Sequence, residues 1–168
     1  MRYIIALLFL LPLSVFSQTD SSSFYFNQGL FKLFQKKHEV AIPYFEKAVS
    51  FNIKNKKAYN NLGLCYMNIH EHKKAITNYT KALDIDAKFV QARYNKAYCL
   101  YSLGDFELAL PEFDRIIKET IDFAKAFFYR GMCNLSLNNY EKSCKDIRKA
   151  SSLDFQDAKN AAEIFCNN

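Results

Sequence analysis

Between Lys57 and Ile69 the apolar residues fall at 59, 62, 66 and 69, steps of three and four that keep one helical face apolar. His70-Glu71 interrupts the pattern, and from His72 to Ile85 it resumes with Ala75, Ile76, Tyr79, Ala82 and Leu83 on one side. The spacing predicts two amphipathic helices joined by a short turn. The same plan recurs downstream, with breaks at Gly104-Asp105 and Asn138-Asn139. Glycine suits the end of a first helix, aspartate the cap of a second, and paired asparagines a turn. No run alternates with period two, so strands are not expected.

The hairpins are copies of one another. A small residue stands at Gly29, Gly63, Ala97 and Gly131, each 34 residues after the last. Ala41, Ala75, Ala109 and Ser143 keep the same period, as do Phe45, Tyr79, Phe113 and Ile147, and Ala48, Ala82, Ile116 and Ala150. A repeat of this length marks hairpins that cannot bury both faces alone and therefore stack. Small residues are expected where paired helices approach most closely, with an aromatic filling the space beside them. Pro43 and Pro111 share a position inside a second helix, where each removes one backbone donor and should bend the helix mildly. Asp157 to Cys166 reads as one more helix, with Ala158, Ala161, Ala162, Ile164 and Phe165 available to cover the last hairpin and Lys159, Asn160 and Glu163 facing outward.

These residues carry a resemblance. Tyr59, Leu62-Gly63, Tyr66, Ala75, Tyr79 and Ala82 follow the pattern of the tetratricopeptide repeat family, and Ala97, Phe106, Ala109 and Phe113 repeat part of it. Phe127, Gly131, Tyr140 and Ala150 form a further copy, while Tyr25, Gly29, Ala41, Phe45 and Ala48 form the most degenerate one. The closing proline of the pattern is replaced by Ile53, Ala87, Ile121 and Phe155. The resemblance implies an all-α, right-handed α-solenoid of four helix-turn-helix units at 22–55, 56–89, 90–123 and 124–157, followed by a capping helix and tail at 158–168.

The start of the chain has a different character. Arg2 precedes an apolar run from Ile4 to Leu13, and Val15-Phe16-Ser17 ends in a small residue before Gln18. Ile4 to Phe16 is 13 residues, short of the ~20 a spanning helix needs. Residues 1–17 therefore read as a cleaved secretory signal, residues 18–21 as a short lead, and the protein as exported to a periplasm or secreted. The remaining chain carries 22 basic and 17 acidic residues, a net +5, with its lysines scattered as on a solvated face. Nucleic acid is not an expected partner.

Three of the five cysteines, Cys65, Cys99 and Cys133, share one repeat position. They should lie at least ~8–10 Å apart on successive helices, too far to bridge, and read as small buried residues. Cys144 and Cys166 lie 11 residues either side of a turn near 155, which places them level on antiparallel helices. A Cys144–Cys166 disulfide is the preferred pairing; Cys133–Cys144 across the turn at 138–139 and five free thiols remain open. The glycosylation patterns at Asn78 and Asn134 both fall within expected helices.

No catalytic constellation, phosphate loop or cofactor motif is present. His38 and His72 occupy the position of Phe106 and Tyr140 and read as packing residues. His70 and His72 lack a third metal ligand nearby, so neither a metal nor a cofactor is expected and the chain does not read as an enzyme.

The resemblance implies instead that the first helices line a concave groove that binds another protein as a peptide or helix. By repeat position that lining includes Asn27, Lys57, Asn60, Asn61, Leu64, Tyr94, Asn95, Tyr98, Lys125, Phe128 and Tyr129. Asn27, Asn61 and Asn95 share one register, and a ladder of amides can pair with a ligand backbone without reading its sequence. The other reading is that some rings are core and the asparagines satisfy neighbouring helices. The Lys, Asn and Arg set with which some arrays grip a terminal carboxylate is missing. A second use is self-assembly, because the first unit has no evident cap and Phe24, Phe26, Phe31 and Phe34 crowd its opening helix.

Overall fold

The computed structural model describes residues 13–120 and 122–166, which form α-helices and no strand. In chain order these are α1 (Leu13–Phe34), α2 (His38–Phe51), α3 (Lys56–Asn68), α4 (His72–Ile85), α5 (Val90–Leu103), α6 (Phe106–Glu119), α7 (Ala124–Ser136), α8 (Tyr140–Ser152) and α9 (Gln156–Phe165). Each helix packs on the next, most extensively within the hairpins α1–α2, α3–α4, α5–α6 and α7–α8. The result is an all-α helical repeat solenoid. Most of the leader assigned to residues 1–17 lies outside the described residues; Leu13–Ser17 begin α1, so the expected cut before Gln18 falls within that helix. None of the described helices is long and apolar enough to cross a membrane.

Close approach explains the small residues. A Cβ built on Gly29 would stand 2.7 Å from the Phe45 ring, on Gly63 2.5 Å from the Tyr79 ring, and on Gly131 2.9 Å from Ile147. Those three larger side chains are fully buried, as is Phe113 opposite Ala97. Each hairpin turns in the same way. Lys36, His70, Gly104 and Asn138, spaced 34 apart, all take positive φ, between 58° and 83°. The residue after each of them donates its N–H back to Lys32, Tyr66, Leu100 or Asn134, five residues earlier, at 2.8–3.0 Å. This closure satisfies the last carbonyls of the first helix, and only Gly104 adopts it without a side-chain penalty. Asp105 precedes α6 but makes no capping bond through its side chain, so the expected cap is not formed; Asn55 does cap α3, accepting from Ala58 N–H at 3.0 Å. Pro43 and Pro111 lie inside α2 and α6.

The C-terminal end differs from the expected arrangement. Helix α9 begins at Gln156; its buried residues Ala158 and Ala161, with Cys166 just past its end, pack with Phe128, Ile147 and Ala150. Ile164 and Phe165 are 71% and 45% exposed and do not cover the last hairpin. A ten-residue helix has room for one narrow buried stripe, and the alanines and Cys166 fill it. Cys144 and Cys166 form a disulfide with Cα atoms 5.4 Å apart, which ties α9 to α8. Cys65, Cys99 and Cys133 are free and buried, and burial pushes each thiol up to about 12.

Candidate functional site

Curvature follows from which helices meet. Besides the sequential pairs, α3 touches α5 and α5 touches α7, while α2, α4, α6 and α8 barely meet one another or do not meet. The array is therefore tighter on the side of its first helices, and that side is the inner face. From Ser21 onward α1, α3, α5 and α7 contain no Asp or Glu, whereas they carry Lys32, Lys56, Lys57, Arg93, Lys96, Lys125 and Arg130.

Several of these cations are held by carboxylates elsewhere. Lys56 pairs with Asp86 at 2.5 Å. Arg93 and Lys96 share Glu112 at 2.8 and 2.7 Å. Burial raises the Glu112 carboxyl, but the hydrogen bonds and charges of Lys96 and Arg93 override it and hold it below its ordinary value. Arg130 donates two bonds to Asp146, at 2.7 and 2.6 Å, and one to Asp114 at 2.7 Å. Lys96–Glu112 and Arg130–Asp146 occupy equivalent positions, where the second unit has Leu62 and Asn78. The sequence reading missed these pairs; their signal is an opposite charge 16 residues downstream in two successive repeats. Their lysine and arginine charges are spent on joining helices. Lys57 and Lys125 are exposed, and among the described residues neither has an ion-pair partner.

The amides do not form the expected ladder. Asn95 donates to Asn60 at 3.2 Å and accepts from Gln91 at 3.3 Å, and Asn60 and Asn95 are 8% and 7% exposed. These two asparagines join α3 to α5 across registers and have little left for a ligand. Asn61 is half-buried and Asn27 exposed. Phe128 is buried, 5.1 Å from Phe155 in the core under α9. Tyr94 is half-buried between Phe123 and Phe113, at 5.1 and 6.5 Å. Asn60, Asn95, Phe128 and much of Tyr94 are thus packing residues, because the side of a first helix toward its neighbouring repeat is buried as well as the side toward its own hairpin.

What remains open on the inner face is a tyrosine cluster. Tyr98, Tyr101 and Tyr129 are half-buried, with Tyr98–Tyr129 centroids 5.0 Å apart and Tyr101–Tyr129 5.2 Å. Burial, then the neighbouring Tyr98 and Tyr101, push the Tyr129 phenol up to about 12, so it stays a neutral donor at physiological pH. Tyr101 lies three residues beyond Tyr98 on α5, where its repeat position also places it on the lining, and the two ring centroids are 6.3 Å apart. Leu64 is half-buried on α3. The rings offer flat apolar surface with few rotors to freeze, and Lys57 and Lys125 supply charge in equivalent positions on α3 and α7.

Other surfaces are chemically quiet. The His70 and His72 rings stand 6.1 Å apart, and among the described residues no three His, Cys, Asp or Glu side chains gather as a metal site. The hollow between α6 and α8 is floored by Arg130, whose guanidinium is already held by Asp114 and Asp146.

Known proteins show the same architecture. MamA residues 41 to the end, from Desulfovibrio magneticus RS-1, superposes with a TM-score of 0.78 at 22% identity, over 80% of this chain and 76% of that one. Another MamA crystal structure gives 0.78 at 19% identity, over 86% and 85%. PilF of Pseudomonas aeruginosa gives 0.72 at 21%, over 82% of this chain and 63% of its own. These likenesses show a shared fold. No curated protein matches the sequence. Tetratricopeptide repeat models match residues 57–89 and residues 22–52, 90–119 and 124–157. With repeat models spanning most of its length and a solenoid of the corresponding hairpins, the chain belongs to the tetratricopeptide repeat family.

Proposed function

We propose that this protein is a non-catalytic interaction scaffold that holds an extended, acidic segment of another protein against its inner face. The observation that carries the reading is the composition of that face. Four first helices present no carboxylate from Ser21 onward, leave Lys57 and Lys125 unpaired, and expose the edges of Tyr98, Tyr101 and Tyr129 between them. An acidic segment meets no repulsion along this path, and the rings contribute apolar contact at little entropic cost. Of the asparagine ladder expected at Asn27, Asn61 and Asn95, Asn95 is engaged with Asn60, so sequence-neutral capture by the amides has a smaller part in this reading.

The reading includes export. The apolar stretch before Ser17 supports a leader, and the Cys144–Cys166 disulfide suits an oxidising compartment. The test is affinity capture from the native cell with the full chain and with a Tyr98→Ala, Lys125→Glu variant of unchanged helical circular dichroism. A partner held by the parent and released by the variant supports the inner face, and its captured segment should be acidic. Equal capture by both proteins contradicts it.

A further inference from the structure

The first helix carries large aromatics where every later first helix carries small, fully buried residues. Phe24 is equivalent to Ala58, Ala92 and Ala126, and Phe31 to Cys65, Cys99 and Cys133. All six later residues are 0% exposed. They are buried against the preceding hairpin: Ala92 and Cys99 pack in one cluster with Ala75, Tyr79 and Ala82 of α4, and Ala126 and Cys133 in another with Ala109, Phe113 and Ile116 of α6. Phe24 and Phe31 are 58% and 56% exposed. Phe34, 89% exposed, continues their stripe with Asn27, so Phe24, Asn27, Phe31 and Phe34 fall at the i, i+3, i+7 and i+10 spacing of a helix–helix seam.

We propose that this stripe is a self-association surface, on which two copies of the chain pair face to face through their α1 helices. Two features select a second copy. The four residues of the stripe are uncharged although the whole chain carries a net +6, and Lys32, with Nζ 5.6 Å from the Phe31 ring centroid, is the one cation beside it among the described residues, so this is the part of α1 where two identical basic surfaces meet with least repulsion. Helix order disfavours the other self-contact, an end-to-end stack. Within the array α3, α5 and α7 each pack on the second helix of the hairpin before, whereas α9 stands in the order of a first helix. Stacking α1 of one copy on α9 of another would set two first helices together, against a side of α9 where Asp157, Asn160 and Glu163 surround a single apolar residue, Ile164. Contact through α1 alone is isologous and closes at two copies.

Phe24, Phe31 and Phe34 leave roughly 400 Å² of ring surface open per copy, scaled from a typical aromatic side chain. A pair would bury roughly 800 Å² of ring area plus its flanks, the size of a weak, transient interface, so the dimer is expected to dissociate at roughly tens of micromolar. The inference rests on Phe24 and Phe31, which occupy the positions that face a preceding hairpin; Asn27 alone of the stripe shares a repeat position with the inner-face residue Tyr129.

The test is sedimentation equilibrium of the full chain, expressed with its leader and purified in the form the cell leaves it, across roughly 1–200 µM. The mass should rise from one copy to two and stop there. Phe31→Ala should weaken the dimer about tenfold or more. Phe24→Glu with Phe31→Glu should hold the protein monomeric with its helicity unchanged, both side chains being exposed. Ile164→Glu with Phe165→Glu should dimerise like the parent. A parent monomeric throughout, a mass climbing beyond two copies, or a dimer lost in the α9 variant but kept in the α1 variants overturns the proposal. So does a monomeric parent that cosediments with phosphatidylcholine vesicles through Phe24 and Phe31, which would assign the stripe to a membrane surface.

Discussion

Replacing Gly63 by alanine isolates the close contact on which each hairpin is built. The new methyl would lie 2.5, 2.7 and 2.8 Å from Cε1, Cδ1 and Cζ of Tyr79. Carbon atoms pack best at about 3.5–4.0 Å, so the ring or the whole of α4 must retreat by about 1 Å. The ring has no free space to enter, since Tyr79 is fully buried among Ala75, Ala82, Ala92 and Cys99. Overpacking of this kind costs about 1–3 kcal/mol, while alanine in place of glycine inside a helix returns about 1 kcal/mol. With a contact as short as 2.5 Å the overpacking lies in the upper half of that range, so the net is a loss of about 1–2 kcal/mol, read as a fall of about 2–8 °C in the midpoint of thermal unfolding by circular dichroism. The third hairpin shows the accommodated case: Ala97 faces Phe113 there, and α5 and α6 are the least closely joined of the four pairs. In a Tyr79→Leu background the clashing ring atoms are gone, and Gly63→Ala should become neutral or stabilising. A Gly63→Ala protein as stable as the parent, or the same loss in both backgrounds, refutes the argument.

Three further outcomes follow from other buried groups. Ser143 holds the position of Ala41, Ala75 and Ala109, is fully buried, and its hydroxyl has no hydrogen-bond partner among the described residues, so Ser143→Ala should raise stability by about 1 kcal/mol in urea unfolding. Asp146→Ala leaves the half-buried Arg130 guanidinium only its bond to exposed Asp114 and should cost about 1.5–3 kcal/mol, whereas the same change at exposed Asp154, paired with Lys159, should cost much less. Burial raises the thiols of Cys65, Cys99 and Cys133 from 9.0 to about 12. The unfolded chain therefore releases those protons first, stability is fully present below about pH 9, and it should fall as pH rises from there toward 12. Each thiol contributes a slope of up to about 1.4 kcal/mol per pH unit, and replacing all three cysteines by alanine should make the profile shallower, most clearly between about pH 9 and 10, below the range where the buried tyrosines contribute.

The hairpins were legible in the sequence because each helix has one face committed to its partner, and the 34-residue period repeats that commitment four times. The small positions at 29, 63, 97 and 131 could be read as close approaches for the same reason. The inner face was harder to read. A first helix in a solenoid buries two sides, one toward its own hairpin and one toward the neighbouring repeat, and periodicity marks only the first. Asn60 and Asn95 look like exposed amides on a helical wheel, yet they lie between α3 and α5 and bond each other. Phe128 holds the repeat position of Tyr94 and reads as groove-lining by that register, but α9 supplies Ala158 and Ala161 to cover its surroundings. The Lys96–Glu112 and Arg130–Asp146 pairs replace the leucine of the repeat pattern with charge, and only the partner 16 residues on shows that such a residue still faces inward. The exposure of Ile164 and Phe165 depends on how few residues a short last helix can bury.

The account rests on the inner face being the working surface. The most direct measurement places a photo-crosslinking phenylalanine analogue at Tyr98 on α5, and in a separate protein at Thr77, exposed on α4, and irradiates native cells. The account predicts a discrete adduct from position 98 whose crosslinked peptide is acidic, and no specific adduct from position 77. A specific adduct from position 77 with none from position 98 would place recognition on the outer helices and contradict the account.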